Sequence, residues 1–390
     1  MTQPRNSSCR PRHLLTVSAA TMALLLGGVP FAAAGTAAGA PSAGATLQQA
    51  MNAFVAQPGG PPGMVVAIGR GKQFTLRTAG VANIVTKAKP AADDFMRMAS
   101  VSKAFSGAAA LSLVSRGKLK LSDTVGTVIP NVPVEWKNVT LAELLQHTSG
   151  VPDFTRAPGF GEALVASPQK APAPRVLLSY LTDPKLNFTP GSQYEYSNSE
   201  NILVGLMIQN ATGRSYESVL ATNVFGPLKL TRTSLPRGSA IGAPALRGYD
   251  LAASPITDET SVIAAGWTWA SGGMVSTPAD ALRFVRGDVS GALVNKATHA
   301  AQFTFRPGSS DPPGPGTQYA GLGIFKYVTS CGTVYGHTGN IFGYTQFIAS
   351  SADGSHAVTV SINGQITPVE SAALFPALRH IYELAVCAAR

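Results

Sequence analysis

The order of the predicted elements indicates an α/β (α+β) fold that combines one antiparallel sheet with a mostly helical lobe. Strand patterns occur near both ends of the chain, whereas residues 96–315 read mainly as helices and long loops. Strands at both ends most simply pair into one sheet, and the terminal helices would then flank it. We therefore expect a sheet lobe from residues 41–95 and 316–390, a helical lobe from residues 96–315, and an active site between them.

The N-terminal part supplies a helix, two strands and a second helix. A helix is predicted over Thr46–Val55, and strands are predicted over Met64–Ile68 and Phe74–Ala82. The stretch Phe105–Val114 is almost entirely small or apolar, which favours a helix that is buried on every side and ends near Gly117.

Helix signals continue through the middle of the chain. Thr140 and Glu143 form a capping box that opens a short helix. A longer helix, capped by Asn198 or Ser199, is expected to stop at Gly213. The late elements are strands over Leu322–Val328, Thr333–Gly336, Tyr344–Ser350 and His356–Asn363, and a final helix from about Pro368 to Cys387.

Residues 1–40 have the composition of a signal peptide. Three arginines in the first twelve residues precede an apolar run over residues 14–28 and the small residues Ala32–Ala34. The run is too short for a comfortable transmembrane helix, so we expect cleavage and no stable membrane anchor, with an anchored form as the alternative. The protein is expected to be secreted, or periplasmic or associated with the cell wall.

The charge balance argues against a nucleic-acid partner. Removal of residues 1–40 takes away three arginines and no acidic residue, so the formal charge falls from +10 to +7. The remaining lysines and arginines are scattered, which gives only a modest attraction to an anionic cell surface.

Cys331 and Cys387 remain as an even pair once Cys9 is removed with the signal. In an oxidising compartment we expect them to form one disulfide that ties the C-terminal helix to the preceding strand region. Two free buried thiols are the alternative.

Ser100 and Lys103 are the residues best placed to form a nucleophile. On a helix they share a face, and a desolvated lysine amine can take the proton of a serine hydroxyl. The alternative is an N-cap serine followed by a lysine whose amine reaches solvent. Two further Ser-x-x-Lys pairs are interrupted by glycine or surrounded by proline: Ser115/Lys118 and Ser167/Lys170.

Tyr196-Ser197-Asn198 lies where a loop gives way to a helix. A lysine ammonium nearby would stabilise the Tyr196 phenolate, so the hydroxyl can move protons between the serine and a leaving group. The Asn198 amide can hydrogen-bond a substrate amide and the lysine together. Taken alone, a buried tyrosine beside an N-cap asparagine explains the motif better.

His337-Thr338-Gly339 precedes Asn340 at the start of a predicted C-terminal strand. The glycine allows a ligand to approach the strand edge, and the N–H groups of Asn340 and Ser100 are candidates for an oxyanion hole. Taken alone, a turn before a strand explains this motif better.

Together and in this order, the three motifs resemble those of the penicillin-recognising serine enzymes, which include class C β-lactamases, D-alanyl-D-alanine carboxypeptidases and related esterases. That family has Ser-x-x-Lys, Tyr-x-Asn, and then Lys-Thr-Gly or His-Thr-Gly. The resemblance covers about residues 45–387, and His337 with the cysteine pair is more similar to the secreted carboxypeptidases than to β-lactamases. It implies a β-lactamase/transpeptidase-like fold in one hydrolase domain over residues 41–390.

The resemblance implies a serine hydrolase that forms an acyl-enzyme on Ser100, with Lys103 and Tyr196 as the acid/base pair. The further residues that it places around the substrate are Asn198, Trp267, His337, Thr338, Gly339 and Asn340. We expect a D-alanyl-D-alanine carboxypeptidase-like activity on a peptidoglycan-like peptide. The alternatives are an esterase or a β-lactamase of the same fold, or a poorly catalytic module that binds peptidoglycan or β-lactams. No cofactor or metal ion is implied, and we expect a monomer.

One departure concerns the basic residue with which carboxypeptidases of this family grip the terminal carboxylate of D-alanine. Phe325 stands at that place, and Asn340 replaces one of the family's hydroxyl groups. Lys326 follows Phe325, but alternation along a strand points it to the opposite face. We therefore expect weak carboxypeptidase activity, with simple esters hydrolysed comparably or better.

Two other hydrolase classes lack their motifs in this sequence. The Gly-x-Ser-x-Gly elbow of α/β-hydrolases is absent, and so is the His-Glu-x-x-His of zinc proteases. The six histidines are widely dispersed along the chain. Neither an α/β-hydrolase nor a metallo-hydrolase is therefore expected.

Overall fold

Strand-forming sequences from the two ends of the chain come together in the computed structural model, which describes residues 43–309 and 311–390. The signal peptide expected over residues 1–40 lies outside the described residues. The strands are β1 (Gly63–Arg70), β2 (Gln73–Gly80), β3 (Met96–Arg97), β4 (Tyr249–Asp250), β5 (Thr257–Asp258), β6 (Val275–Ser276), β7 (Thr317–Ala320), β8 (Phe325–Thr329), β9 (Gly332–Ile341), β10 (Tyr344–Ser350) and β11 (His356–Ile362).

Seven of these strands form one antiparallel sheet in the order β2-β1-β11-β10-β9-β8-β7. The N-terminal strand β1 pairs with the C-terminal strand β11, with Met64 opposite Ile362. The antiparallel sheet predicted from strand patterns at both chain ends is therefore confirmed.

Helices cover both faces of this sheet and build the lobe beside it. The helices are α1 (Ala43–Val55), α2 (Ser102–Ser115), α3 (Val125–Val128), α4 (Leu141–Leu145), α5 (Pro158–Ala166), α6 (Pro174–Leu178), α7 (Asn198–Thr212), α8 (Tyr216–Leu220), α9 (Gly226–Leu228), α10 (Trp269–Gly272), α11 (Pro278–Val289), α12 (Lys296–Gln302) and α13 (Phe375–Ala389). The terminal helices α1 and α13 pack together over one face, and α11 packs on the other.

The two-sided cover explains the sequence of β1. Its residues from Gly63 to Ile68 are all buried and almost all apolar, without the alternation of a strand that faces water. Met64 and Val66 belong to the core beneath α1 and α13, whereas Val65 and Ala67 belong to the core shared with the helical lobe.

The nucleophile segment also agrees with its sequence. A short 3₁₀ turn over Ala99–Val101 leads directly into α2, whose residues Ser102–Leu113 are all buried. The helix predicted to be buried on every side is therefore confirmed, and Gly117 follows its end in the left-handed conformation at φ +67°.

Several predicted boundaries differ from the structure. The final helix begins at Phe375 and not near Pro368, where the chain forms turns, and strand β8 begins at Phe325 and not at Leu322. The N-cap of α7 is Ser197, whose backbone is extended, and not Asn198 or Ser199. Asn198 is thereby the first helical residue, and its side chain is free to contact other groups. Strand β9 is longer than predicted because β10 pairs with it from Tyr335 to Ile341, so His337 lies within a strand.

The Cys331 and Cys387 side chains form a disulfide with a Cα–Cα distance of 5.1 Å. It joins the turn between β8 and β9 to helix α13. Among the described residues, no helix has both the length and the apolar character needed to span a bilayer.

Reduction of this disulfide is expected to lower the free energy of unfolding by up to about 4 kcal/mol, because the bond closes a loop with a sequence separation of 56 residues. The measurement is urea unfolding of a chain that lacks residues 1–40, with and without reductant, beside a Cys331→Ser/Cys387→Ser variant. The unreduced, denatured chain should titrate no free thiol, and two free thiols would contradict the pairing.

Candidate active site

Ser100 lies in the 3₁₀ turn between β3 and α2, at the edge of the sheet strand β9. The preceding residue, Ala99, has φ +52°, a left-handed conformation that costs a non-glycine residue about 1 kcal/mol or more. Gly339 packs against this turn so closely that an added Cβ would lie 2.7 Å from the Met98 carbonyl oxygen and 2.9 Å from the Ser100 nitrogen. Glycine is therefore required for β9 to pass beside Ser100.

The Lys103 amine lies at the centre of the site. Its Nζ is 3.1 Å from Ser100 Oγ, 2.7 Å from Asn198 Oδ1 and 2.8 Å from the Ser271 carbonyl oxygen. The last two atoms only accept hydrogen bonds, so a neutral amine donates its two N–H groups to them. Its lone pair is then left for the Ser100 hydroxyl, which is the arrangement that a general base needs.

The orientation of the Asn198 amide follows from its other partners. Asn198 Nδ2 donates to Asp153 Oδ2 at 2.8 Å and to Thr155 Oγ1 at 3.3 Å. Because the carboxylate can only accept, the amide nitrogen must face Asp153 and the amide oxygen must face Lys103. Asp153 thus fixes which atom of Asn198 faces Lys103.

Burial also determines the charge of Lys103. The side chain is 1% exposed, and burial lowers the pKa of its amine to about 7. Nearby carboxyl groups, Asp153 first among them, offset a part of this shift in pKa. At neutral pH a substantial share of Lys103 is therefore neutral and able to accept a proton.

Tyr196 lies next to the Lys103 amine. The lysine Nζ is 4.8 Å from the centroid of the tyrosine ring, and the buried Tyr196 hydroxyl has no hydrogen-bond partner among the described residues. Burial raises the pKa of Tyr196 well above its usual value, although the nearby Ser100 hydroxyl opposes the rise. The phenol is therefore protonated and can donate a proton.

His337 and Thr338 precede Gly339 on β9 and are each 1% exposed. His337 Nδ1 is 2.5 Å from the Thr338 carbonyl oxygen, whereas His337 Nε2 and the Thr338 hydroxyl have no partner among the described residues. Burial, helped by the charge of Lys103, lowers the pKa of His337 to about 3. The residue is therefore a neutral imidazole at neutral pH.

A cavity of about 340 Å³ opens at Ser100. Asn198, Trp267 and Asn340 line it, whereas the other residues expected around the substrate, His337, Thr338 and Gly339, are not part of its wall. The wall also includes residues that the sequence did not single out: Thr155, Phe160, Ile263, Phe342, Gln365 and Glu370. The Asn340 side-chain oxygen accepts a hydrogen bond from the Thr345 hydroxyl at 2.7 Å. This hydrogen bond engages the amide oxygen, and the Asn340 backbone N–H is the group that we consider as a candidate oxyanion donor.

Phe325 is 2% exposed and lies in an aromatic cluster. Its ring centroid is 5.1 Å from that of His337, 6.3 Å from that of His147 and 6.5 Å from that of Tyr194. Lys326 is directed elsewhere, with its Nζ 4.1 Å from the Tyr319 ring centroid. Lys326 therefore does not place a cation beside Phe325 in this cluster.

The sequence analysis missed two partners of the central residues. Asp153 is a typical turn residue, and its side chain accepts a hydrogen bond from the Thr155 N–H at 3.0 Å. This turn pattern can be recognised in the sequence, but it does not indicate a contact with Asn198. The Ser271 carbonyl has no sequence signal, because any residue could supply a backbone oxygen.

A model of the family described as "Beta-lactamase" matches residues 47–383 of this chain. The chain belongs to the β-lactamase family. The family's β-lactamase/transpeptidase-like fold, expected from the three motifs, is therefore confirmed for the described residues.

Two proteins of known name resemble this chain over part of their length. Protein flp of Staphylococcus aureus strain NCTC 8325 is 30% identical over 199 residues, which is 50% of this chain and 39% of that protein. The β-lactamase of Escherichia coli K12 is 32% identical over 174 residues, 44% of this chain and 43% of that protein. The chain thus spans less than half the length of these relatives.

Solved structures with this family's fold match more completely. The D-stereospecific amidohydrolase of a Streptomyces species is 29% identical, with a TM-score of 0.74 over 85% of this chain and 97% of that chain. The D-amino acid amidase of Ochrobactrum anthropi SV3, complexed with D-phenylalanine, has a TM-score of 0.77 over 89% of this chain and 99% of that chain. At 23% identity, the second match shows the common fold alone.

Proposed function

We propose that this protein is a serine hydrolase that acts through an acyl-enzyme on Ser100. The observation that carries the proposal is the triple contact of the Lys103 amine, whose two acceptor partners leave its lone pair for the Ser100 hydroxyl. A lysine beside an N-cap serine would not need to be buried or to have its pKa lowered to about 7.

The proposed reaction begins with attack of Ser100 Oγ on a carbonyl carbon while its proton passes to Lys103. The N–H groups of Ser100 and Asn340 would hold the oxyanion of the tetrahedral intermediate. As the bond to the leaving group breaks, Tyr196 donates its proton to that group and regains one from Lys103. Water then hydrolyses the acyl-enzyme by the same steps in reverse order.

The substrate is proposed to be an amide or ester whose leaving group carries no carboxylate. Phe325 and the neutral His337 offer no cation on this side of the site, where a D-alanyl-D-alanine peptide presents its terminal carboxylate. The name of the Streptomyces D-stereospecific amidohydrolase, which is 29% identical to this chain, supports an amide substrate. D-alanyl-D-alanine carboxypeptidase-like activity is proposed to be weak.

The test is mass spectrometry of the protein after incubation with benzylpenicillin, a D-alanyl-D-alanine peptide, a D-amino acid amide and short acyl esters. We expect a mass increase on the peptide that contains Ser100, and turnover of the ester and amide. Labelling without turnover of any of these would instead favour a binding module for β-lactams or peptidoglycan. No covalent adduct on Ser100 would refute the proposal.

We also propose that the protein is exported. The disulfide between Cys331 and Cys387 supports this, because such bonds persist mainly in oxidising compartments. N-terminal sequencing of the protein recovered from culture medium or cell wall is the test, and an intact residue 1–40 segment on an intracellular protein would contradict it.

Phe325→Arg is expected to raise the kcat/KM ratio of a D-alanyl-D-alanine peptide to a neutral ester by roughly ten- to a hundredfold. A charge-assisted hydrogen bond to the carboxylate contributes about 1.5–3 kcal/mol, and about 1.4 kcal/mol is tenfold. Steady-state kinetics on both substrates measures the ratio, which is independent of the fraction of enzyme that folds.

Phe325→Met is the matched control, because it also disturbs the aromatic cluster but introduces no charge. It should leave the peptide-to-ester ratio within about threefold of the wild type. If the wild type cleaves the peptide efficiently and Phe325→Arg changes nothing, the assignment of Phe325 to the carboxylate position is wrong.

A further inference from the structure

Two buried polar side chains, His147 and Glu200, form a pair beside the Tyr196 ring and have no role in the proposed reaction. His147 is 4% exposed and Glu200 is 0% exposed, and His147 Nδ1 is hydrogen-bonded to Glu200 Oε2. The Ser149 hydroxyl donates to the other carboxyl oxygen of Glu200 at 2.6 Å. Glu200 lies in the first turn of α7, two residues after Asn198.

His147 contacts both the Tyr196 ring and the backbone of the residue before it. The two ring centroids are 4.5 Å apart, and the Lys103 Nζ is 4.8 Å from the same tyrosine ring. The backbone N–H of Glu195, the residue before Tyr196, donates to the His147 carbonyl oxygen at 2.9 Å. The position of Tyr196 relative to Lys103 therefore depends on where His147 lies.

The backbone of His147 has an unfavourable conformation that surrounding contacts must stabilise. Its φ of +56° is left-handed, which costs a non-glycine residue on the order of 1 kcal/mol and persists only when surrounding contacts impose it. The hydrogen bond to Glu200 is one such contact, and it anchors the imidazole to α7. Glu200 thus connects the helix that carries Asn198 to the ring that supports Tyr196.

The His147–Glu200 pair can hold the Tyr196 side chain while both members of the pair are uncharged. Burial raises the pKa of Glu200 well above its usual value and lowers the pKa of His147 to about 3. Glu200 is then a neutral acid that donates to His147 and accepts from Ser149. The charged groups that act on the pair are Lys103, Asp153 and Asp311, and Lys103 is the proposed base. Other ionisable side chains near the pair are Tyr194, Tyr196 and His337.

We propose that Glu200 and His147 are positioning residues that hold the Tyr196 ring, and with it the Tyr196 hydroxyl, against Ser100 and Lys103. The inference rests on the proposed function, because it assigns the held group to a proton transfer in that reaction. A pair that only stabilised the helical lobe would change the folded fraction but not the rate per folded molecule.

The first variants are Glu200→Ala and Glu200→Gln, with hydrolysis of p-nitrophenyl acetate as the assay. The Gln amide can donate to His147 and accept from Ser149, so it should keep kcat within about threefold and leave the pH profile unchanged. The Ala side chain releases His147, and kcat should fall on the order of 10²-fold with little change in KM, since a small misplacement of a catalytic group costs this much.

Asp288 offers a matched control in another helix. It is a buried carboxyl group in α11, 4% exposed, whose only side-chain partner among the described residues is the Gln302 amide at 3.4 Å. Burial raises the pKa of Asp288 to about 7, and it does not line the cavity at Ser100. Asp288→Ala and Asp288→Asn should leave kcat per folded molecule within about threefold of the wild type.

A readout independent of turnover completes the test. With 3-fluorotyrosine incorporated, the ¹⁹F NMR signal of Tyr196, assigned by Tyr196→Phe, should shift or broaden in Glu200→Ala but not in Glu200→Gln or the Asp288 variants. An unchanged signal in Glu200→Ala, or a kcat that falls no further than in Asp288→Ala, would overturn the positioning role. Failure of the wild type to acylate at Ser100 would refute the proposed function instead, while the NMR signal would still decide on the support of Tyr196.

Discussion

Replacement of Ser100 by alanine is expected to abolish covalent labelling by benzylpenicillin and to lower ester hydrolysis by about 10⁴-fold or more. In the proposed reaction the Ser100 hydroxyl oxygen is the atom that bonds to the substrate, and alanine has no atom that can replace it. The change removes one oxygen from a half-buried side chain, so the stability of the fold should change little. Labelling with a fluorescent penicillin and active-site mass spectrometry measure the effect.

Serines of the other two Ser-x-x-Lys pairs provide the controls. The Ser115 hydroxyl accepts a hydrogen bond from the Asn295 N–H at 2.8 Å, and Ser167 follows the end of α5. Ser115→Ala and Ser167→Ala should label like the wild type. Labelling that survives in Ser100→Ala would show that the nucleophile is a different residue.

Replacement of Lys103 by methionine is expected to lower kcat/KM by roughly 10³-fold, within the range of 10² to 10⁴ that a general base contributes. Methionine keeps most of the side-chain volume in a site where Lys103 is 1% exposed, but it cannot take the serine proton. Lys118→Met, in the second Ser-x-x-Lys pair, is the matched control and should retain full activity. Equal activity in the two variants would remove Lys103 from the mechanism.

If Lys103 is the general base, the kcat/KM of the enzyme must also depend on pH in a predictable direction. The pKa of Lys103 is lowered to about 7, so its neutral form is lost as the pH falls below that value. The kcat/KM of the wild type should therefore fall tenfold per pH unit below about pH 7 and level off above it. The residual activity of Lys103→Met should lack this acidic limb, and a retained limb would assign the titration to another group.

Much of the fold could be predicted because its signals are local. Continuous apolar stretches such as Gly63–Ile68, the capping box at Thr140 and the small residues of α2 each specify one element without reference to distant parts of the chain. The motif order then identified the residues around Ser100. The prediction that Asn198 or Ser199 caps α7 is wrong, because the N-cap is Ser197. All three residues are good capping residues, and only tertiary contacts decide among them.

The interior of the site could not be predicted, because its contacts join distant segments. Asp153 and Asn198 are 45 residues apart, and Lys103 meets a backbone oxygen 168 residues away. The pKa of Lys103 and the tie between Glu200 and His147 depend on burial, which sequence spacing does not reveal. The aromatic surroundings of Phe325 likewise come from three separate segments that carry His147, Tyr194 and His337.

The pairing of β1 with β11 has a consequence for biosynthesis. The β1–β2 hairpin leaves the ribosome early, but its inner edge remains without a partner until residues 356–362 have been made. Ser100 likewise emerges long before Gly339, which packs against its backbone nitrogen. Nascent chains should therefore stay incompetent for acyl transfer until translation is nearly complete, and the open strand edge makes them dependent on protection from aggregation during that interval.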